Sequence, residues 1–566
     1  MVKIDKIKVV IGIIILVSLL LFLRLFQLQV WEGLKYYKLA EENAAKTIPS
    51  LAPRGIIYDR YGRILAENRP VFFVQIMPHL LDKDLKLKEQ VLSRLENLLK
   101  QKIDYQVSAV QPVIIKENIP LETVVRIEEQ KEELKGVVVG SRPLRFYPFG
   151  TAASHLLGYV GEIEADELKR LKEKGYQLGD IVGKDGIEKY YEEELKGSNG
   201  GQKVEVDVYG KPVRLLESFD PIAGSDLKLT IDLDLQIAAE KALGNREGAV
   251  VILDPKTGEI LALVSHPNYD PNRVWEALKH GRHPFMNRAL ATYPPGSIFK
   301  VITLTAALEE KLTHPGEVFY CPGYYLIGQR KARCWKESGH GHLTVEEGLV
   351  QSCDVVFYEL GRRLGPERLA RYARFYGLGE RLGIDLPQEK RGLVPTEEWK
   401  RQVLREPWYE GDSINYGIGQ GFLQVTPLQM AAVYGAVATG KRVKPFLVSE
   451  IRKHNGQVIY QVSSSKGEPL PFAKETLEVL RKALKAVVDR GTGIAARMTE
   501  VSVSGKTGTA QNPGLPHAWF LCYAPSEAPE IVIASFVAHG EHGDRAAAYV
   551  ARDILKFYFD RKKEIW

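Results

Sequence analysis

Residues 9–30 form an almost unbroken apolar run, VVIGIIILVSLLLFLRLFQLQV, interrupted by one charge at Arg24. As a helix, about 22 residues reach roughly 33 Å, enough to cross a hydrocarbon core of about 30 Å. Lys3, Lys6 and Lys8 precede the run and predict a cytoplasmic N-terminus. The residues after it, Trp31, Glu32 and Gly33, carry no small-x-small cleavage pattern, so the reading is an uncleaved signal anchor. Arg24 fits either a snorkelling side chain near the outer leaflet, with Trp31 at the interface, or a polar contact to a membrane partner. No second run has the length of a span, which makes a single-pass protein.

Beyond the anchor the pattern shortens. Residues 31–45 read as a helical continuation rich in Glu, Lys and Ala. Apolar clusters at 56–58 and 71–76 predict strands around a tight turn at 60–63. Leu92, Leu95 and Leu99 share one helix face within a charged, Leu-rich stretch. Residues 137–225 return to short strands punctuated by Gly and Pro, and nothing in 31–225 forms a catalytic constellation. From Asp226 the texture changes. LKLTIDLDLQIAAEKAL predicts a strand leading into a helix, and two apolar runs around Pro255-Lys256-Thr257-Gly258 predict a hairpin. Helical patterns follow near 296–310, 343–376 and 426–439, and strand patterns near 502–510, 518–524 and 530–538. A sheet flanked by helices, α/β or α+β, accounts for this region. The divisions expected are 1–30 tail and anchor, 31–225 spacer or binding domain, and 226–566 the chemistry-bearing domain.

Composition adds exclusions. The 566 residues are 45% hydrophobic and 26% charged, which excludes a disordered chain and a polytopic membrane protein. A net charge of +6 over this length is too weak to argue for nucleic acid. Four cysteines exclude a disulfide-dense scaffold.

Three short motifs carry candidate chemistry. Ser297-Ile298-Phe299-Lys300 follows a Pro-Pro-Gly lead-in at a helix start, where spacing i and i+3 brings hydroxyl and amine to one face. A Lys of lowered pKa can take the serine proton, and free N–H groups at the helix start can bind an oxyanion. Ser352-Cys353-Asp354 offers a second hydroxyl for proton relay. Lys506-Thr507-Gly508-Thr509 suggests a strand edging a cleft, with Lys506, Thr507 and Thr509 facing a carboxylate and Gly508 permitting close backbone approach. Each motif alone is common, and SxxK, SxD and KTGT in this order in one domain are not.

Together they resemble the penicillin-recognising acyl-serine transferases. The resemblance extends upstream. Arg54-Gly55 with Asp59-Arg60-Tyr61-Gly62, GYVGEI at 158–163 and GKDGIEKYYEEEL at 183–195 resemble the pedestal of class B penicillin-binding proteins. Asn287-Arg288-Ala289, GIGQG at 417–421, Thr426-Pro427 and RGTG at 490–493 also fit. SxD in place of the division-type SxN, with GHG at 339–341 and EPWYEGDSINYGIGQG at 406–421, resembles the elongation-specific branch.

The resemblance implies a transmembrane helix and an elongated α+β pedestal of the non-catalytic dimerisation type with head and anchor subdomains. A C-terminal transpeptidase domain with a central antiparallel sheet flanked by helices completes the fold. It further implies a D,D-transpeptidase that crosslinks peptidoglycan stem peptides through an acyl-serine. The implied roles are Ser297 nucleophile, Lys300 base, Ser352 and Asp354 proton relay, and Lys506 and Thr507 carboxylate binding. Backbone N–H groups of Ser297 and Thr509 form the oxyanion hole, and Gly508, Thr507 and Thr509 line the substrate site. β-Lactams acylate the same serine, no cofactor is required, and a SEDS-family, RodA-type glycan polymerase of the elongation complex is the implied partner. The protein then sits in the cytoplasmic membrane with its bulk outside. Two alternatives stay open: a scaffold that activates the polymerase without catalysis, and a D,D-carboxypeptidase.

Cys321, Cys334, His340, His342 and Cys353 lie close together in sequence. They admit a structural zinc, a disulfide between Cys321 and Cys334, or free buried thiols. Some members of the resembled branch hold a metal here with Asp, His and Cys ligands. The implied set is Cys321, Cys334 and His340 with Cys353 or His342. Cys522, in the strand pattern AWFLCYAP, is expected to pack in the core.

Overall fold

The structure is a computed structural model. It describes residues 6–36, 45–77, 81, 85–103, 113–206, 212–279, 281, 283–462, 467–540, 542–543 and 545–565. The apolar run is helical over Lys6–Phe26 and continues as a wider turn over Gln27–Trp31. Within Ile7–Trp31 an 18-residue stretch has a mean hydropathy of 3.0 and no buried residues, so the helix is long and apolar enough to span a membrane. Within it, the Arg24 guanidinium donates to Gln27 Oε1 at 2.8 Å. The expected continuation over 31–45 is helical only at 33–36; residues 37–44 lie outside the described residues, and Ala45 begins a strand.

The chain forms two compact units, both discontinuous in sequence: Met1–Pro53, Asn68–Leu144 and Gly197–Gly224 in one, Arg54–Glu67, Arg145–Lys196 and Ser225–Trp566 in the other. In the first, Gly200–Val206 is the central strand of an antiparallel sheet, flanked by Ala45–Ser50 and Pro212–Phe219. A second core gathers Val74 and Ile76 with Val91, Leu95 and Leu99 of the helix Leu85–Leu99. Leu95 and Leu99 of the expected face are buried, while Val91, at i, i+4, i+8 spacing with them, completes the stripe in place of the half-buried Leu92.

In the second unit, five antiparallel strands lie in the order Ile260–His266, Gly248–Leu253, Ile531–Val537, His517–Ala524, Ser504–Ala510. The expected hairpin is present, with Val250 opposite Val264. The strands are apolar on both faces because both faces are covered. Val250, Ile252, Phe520, Cys522 and Ile533 point to one core, with Leu235, Ala239, Ile554 and Leu555 of the helices Leu233–Leu243 and Ala547–Ile565. Their alternates Val251, Leu253, Trp519, Leu521 and Ala534 point to the other, with residues of Lys300–Glu309, Asp354–Phe375 and Pro427–Thr439. Cys522 is fully buried packing, as its place in the pattern implied.

Local chemistry sets the helix ends. Asp232 accepts from Asp234 N and Leu235 N to cap Leu233–Leu243. Thr426 and Gln429 form a reciprocal capping box with Pro427 at the first turn, which explains the Thr-Pro pair in that stretch. The helical pattern of 343–376 resolves into a strand Gly341–Thr344, a helix Val345–Val350, and a second helix Asp354–Phe375. The break between the helices falls on Gln351-Ser352-Cys353, and it places the second motif in a turn.

Candidate active site

Pro295-Gly296-Ser297 does not enter the helix directly. Gly296–Phe299 is a 3₁₀ turn, and the α-helix begins at Lys300. Gly296 has φ +60°, and a Cβ there would lie 2.6 Å from Thr509 O. Gly508 is equally constrained, since a Cβ would lie 2.9 Å from Ile298 Cγ2 and 3.1 Å from Pro295 O. The two glycines let the serine turn and the KTGT strand touch backbone to backbone. The close approach that Gly508 permits within the chain is to the Ser297 turn itself. Gly296 N donates to Gly419 O at 2.8 Å, so the GIGQG loop braces the same turn from the other side.

Ser297 is half-buried, and its hydroxyl has no hydrogen-bond partner among the described residues. Lys300, one turn on, is fully buried. Its Nζ donates to Asp354 Oδ1 at 2.8 Å and to Ser352 O at 2.9 Å, with Ser352 Oγ at 3.4 Å. Ser352 has φ +53°, a left-handed conformation that aims both its carbonyl and its hydroxyl inward. Lys506, also fully buried, donates to Ser352 Oγ at 2.9 Å and to Thr507 O at 2.9 Å. The three motifs thus converge on the hydroxyl of Ser352, with one ammonium on each side of it.

Two lysines and one carboxylate share this pocket, so with both lysines protonated it holds one more positive charge than negative. Burial, with the Lys300 ammonium beside it, pushes Lys506 well below the ordinary lysine range; Asp354 opposes only in part. Such a site favours an anion. Ser504–Ala510 is the outer strand of the sheet, with Thr507 and Thr509 on one face. Thr509 is exposed, whereas Thr507 is buried and its hydroxyl lies 2.7 Å from that of Thr492.

Cys321, Cys334, His340 and Cys353 also converge. Their ligand atoms all lie within 4.8 Å of one another, and all four residues are buried or half-buried. His340 Nδ1 is 3.5 Å from Cys321 Sγ and 3.6 Å from Cys334 Sγ. Every cysteine is free, so the Cys321–Cys334 disulfide is not formed. His342 is not in the cluster, where Cys353 takes the fourth position; its ring packs on Tyr320.

Two residues of the site carried no catalytic signal in the sequence. Thr492 had appeared only within RGTG. Trp335, beside Cys334, donates from its backbone N to Asp354 Oδ2 at 2.9 Å.

The comparisons with known proteins agree with this geometry. Residues 248–556 match the model of the penicillin binding protein transpeptidase domain, and residues 49–229 that of the penicillin-binding protein dimerisation domain. The peptidoglycan D,D-transpeptidase MrdA of Acinetobacter baumannii is 32% identical, over 98% of this chain and 87% of that protein. The penicillin-binding protein PBP2 of Helicobacter pylori, solved in complex with MreC, superposes with a TM-score of 0.79 at 30% identity, covering 91% of this chain and 99% of that one. A chain of a peptidoglycan synthase complex that coordinates polymerization and crosslinking superposes at 0.73 with 33% identity, covering 98% of each chain.

Proposed function

The chain belongs to the penicillin-binding protein transpeptidase family, in its class B, PBP2-type branch, and from that premise we propose that it crosslinks peptidoglycan stem peptides during cell elongation. The observation that carries the reading is the buried Lys300–Ser352–Lys506 network, one helical turn from a hydroxyl, Ser297, that no described residue engages.

Ser297 Oγ attacks the carbonyl carbon between two D-alanines, and Lys300 takes its proton. Backbone N–H groups of Ser297 and Thr509 hold the oxyanion. Ser352, hydrogen-bonded by both lysines, passes a proton to the departing amine as the C–N bond breaks and D-alanine leaves. A side-chain amine of a neighbouring stem then attacks the ester carbonyl, the crosslinking amide forms, and the proton returns to Ser297. Asp354 holds Lys300 Nζ in place and pairs with the ammonium that forms when the amine takes the proton. Lys506 and Thr507 bind the terminal carboxylate, and Thr509 and Gly508 line the strand on which the donor peptide lies. The Lys506 ammonium is the physical counterpart of that carboxylate.

The chemistry of the family needs no cofactor. The Cys321, Cys334, His340 and Cys353 set nevertheless fits zinc. Three thiols and one imidazole are the donors of a closed structural site, and His340 turns Nδ1 toward two of the thiols. Zinc held there would brace the loop and supply no step of the reaction. Native mass spectrometry of the purified chain is expected to show one zinc, lost with Cys334→Ser.

The division adopted is 1–30 tail and anchor, 31–225 pedestal with head and anchor subdomains, and 226–566 transpeptidase. The N-terminal lysines put the tail in the cytoplasm and the rest outside the cytoplasmic membrane. The partner proposed is a SEDS-family, RodA-type glycan polymerase within the elongation complex. The relatives solved with MreC and within a peptidoglycan synthase complex support such an assembly.

Intact-mass spectrometry after exposure to a dye-labelled penicillin tests the reading. One stable adduct on the wild type and none on Ser297→Ala is the expected result. A wild type that takes no label would leave the scaffold role. Release of D-alanine without transfer to an added amine would make it a carboxypeptidase.

A further inference from the structure

The general base of this site is held by two acceptors, Asp354 Oδ1 and Ser352 O, and one residue outside all three motifs holds the far side of both. Trp335 donates its backbone N–H to Asp354 Oδ2 at 2.9 Å. Its indole Nε1 donates to Ser352 O at 3.1 Å and to Gln351 O at 3.2 Å. Lys300 Nζ reaches the same Ser352 carbonyl at 2.9 Å and the other Asp354 oxygen at 2.8 Å. The geometry points to Trp335 as a positioning residue for Lys300: it clamps the two oxygens that aim the ammonium.

The need for a clamp follows from the local backbone. Ser352 sits at φ +53° in the break between two helices, where no helical hydrogen-bond ladder fixes its carbonyl. A strained residue in a break persists only when its surroundings over-determine it. Lys300 supplies one constraint on that carbonyl and the indole supplies the second. Asp354 is similar. It opens the helix Asp354–Phe375, and its carboxylate is divided between Lys300 and the Trp335 peptide.

The segment carrying Trp335 is anchored at three points. Cys334 N donates to Gly323 O at 2.8 Å, the Tyr358 hydroxyl donates to Arg333 O at 3.0 Å, and the ring meets that of His340 edge-on at 5.4 Å. Yet the side chain is 58% exposed. An indole this exposed is not there to fill the core. The indole N–H of Trp335 is shared between Ser352 O and Gln351 O, and its backbone N–H ends on Asp354. Trp335 therefore ties the segment next to Cys334 to the two oxygens that hold Lys300.

This inference rests on the assignment of Lys300 as the base, and the experiment separates the two. The full-length chain in detergent is mixed with a dye-labelled penicillin, and the acylation rate constant k2 and the non-covalent dissociation constant K are measured separately. Trp335→Phe keeps an aromatic ring and the backbone N–H but removes the indole donor. Loss of one neutral hydrogen bond at the base predicts that k2 falls about fivefold to tenfold with K within twofold. Melting temperature and zinc content stay at wild-type values. Trp335→Tyr, measured alongside, is expected to show the same split and keeps the test decisive if the Phe variant folds poorly. A variant with wild-type k2 overturns the positioning role. So does a rise in K with k2 unchanged, which would make the ring a ligand contact. A fall in k2 that tracks lost zinc or lowered melting also overturns it. A wild type that takes no label overturns the base assignment and this inference with it.

Discussion

Two buried clusters of charge stand at different places in the second unit, and they are built on opposite principles. In one, Arg54 and Arg145 meet Glu188 and Glu192. Arg54 Nη2 lies 2.8 Å from a carboxylate oxygen of each glutamate, and Arg145 Nε lies 2.6 Å from Glu188 Oε1. Two cations face two anions, and Arg145 Nη1 also donates to Gly55 O at 2.8 Å. In the other, Lys300 and Lys506 face Asp354 alone. Charge that is neutralised inside the chain has nothing left to bind, so the arginine cluster is structural. Charge left over must be completed from outside, and in the proposed reaction the lysine cluster takes the substrate carboxylate. Burial alone therefore does not mark a functional site; the sum of the buried charges does.

The comparison breaks most visibly at Glu188. Glu188→Gln strands two buried guanidinium groups with one remaining carboxylate, and a loss of about 3–5 kcal/mol of unfolding free energy is expected by chemical denaturation. Penicillin acylation per folded molecule should stay unchanged. Lys506→Met does the reverse. It removes an uncompensated charge, so stability is expected to hold or rise. Acylation by a carboxylate-bearing β-lactam should fall roughly 10- to 100-fold, the value of a charge-assisted hydrogen bond.

The two clusters should also answer to opposite ends of the pH scale. Burial by itself would raise Glu188, but the charges of Arg145 and Arg54 outweigh it and hold the carboxyl below its ordinary value of 4.5. Its contribution to stability is present above that value and is lost as pH falls through the folded pKa. Lys506 is lowered, chiefly by burial, from 10.5. Between its folded and unfolded values the unfolded chain binds more protons, so stability rises with pH there, while carboxylate binding weakens as the ammonium is lost. An acylation profile that declines well before pH 10.5 for a carboxylate β-lactam, but not for its ester, is the expected signature. The smallest effect is expected at Thr492→Val, which deprives Thr507 of its 2.7 Å partner. A loss of about 1 kcal/mol, read as a few-fold slower acylation, would follow.

Much of the site could be read from residue order alone, because its chemistry needs particular groups at short spacing. Ser297 and Lys300 lie three residues apart, Ser352 and Asp354 two, and Lys506 to Thr509 are consecutive. Short spacing on one helix turn or strand is set by backbone geometry, and so is the sheet pattern from 502 to 538. The anchor was equally local, since length and hydropathy define it.

What connects the motifs was not local. Arg54 and Glu188 stood in two separate stretches of similarity, and only the fold pairs them, across 134 residues. The division at 225/226 is a line along the chain, whereas packing groups 54–67 and 145–196 with 225–566. Ser352 in a helical pattern gave no sign of its left-handed turn, nor Trp335 of its place between the cysteines and Asp354. Hydrophobic periodicity and motif spacing are properties of neighbours in sequence, so the chain itself determined its anchor, its elements and the kind of chemistry it carries. Which charges are compensated, and which oxygen a given N–H reaches, depend on groups brought together by burial from far along the chain, and only the tertiary structure decided those.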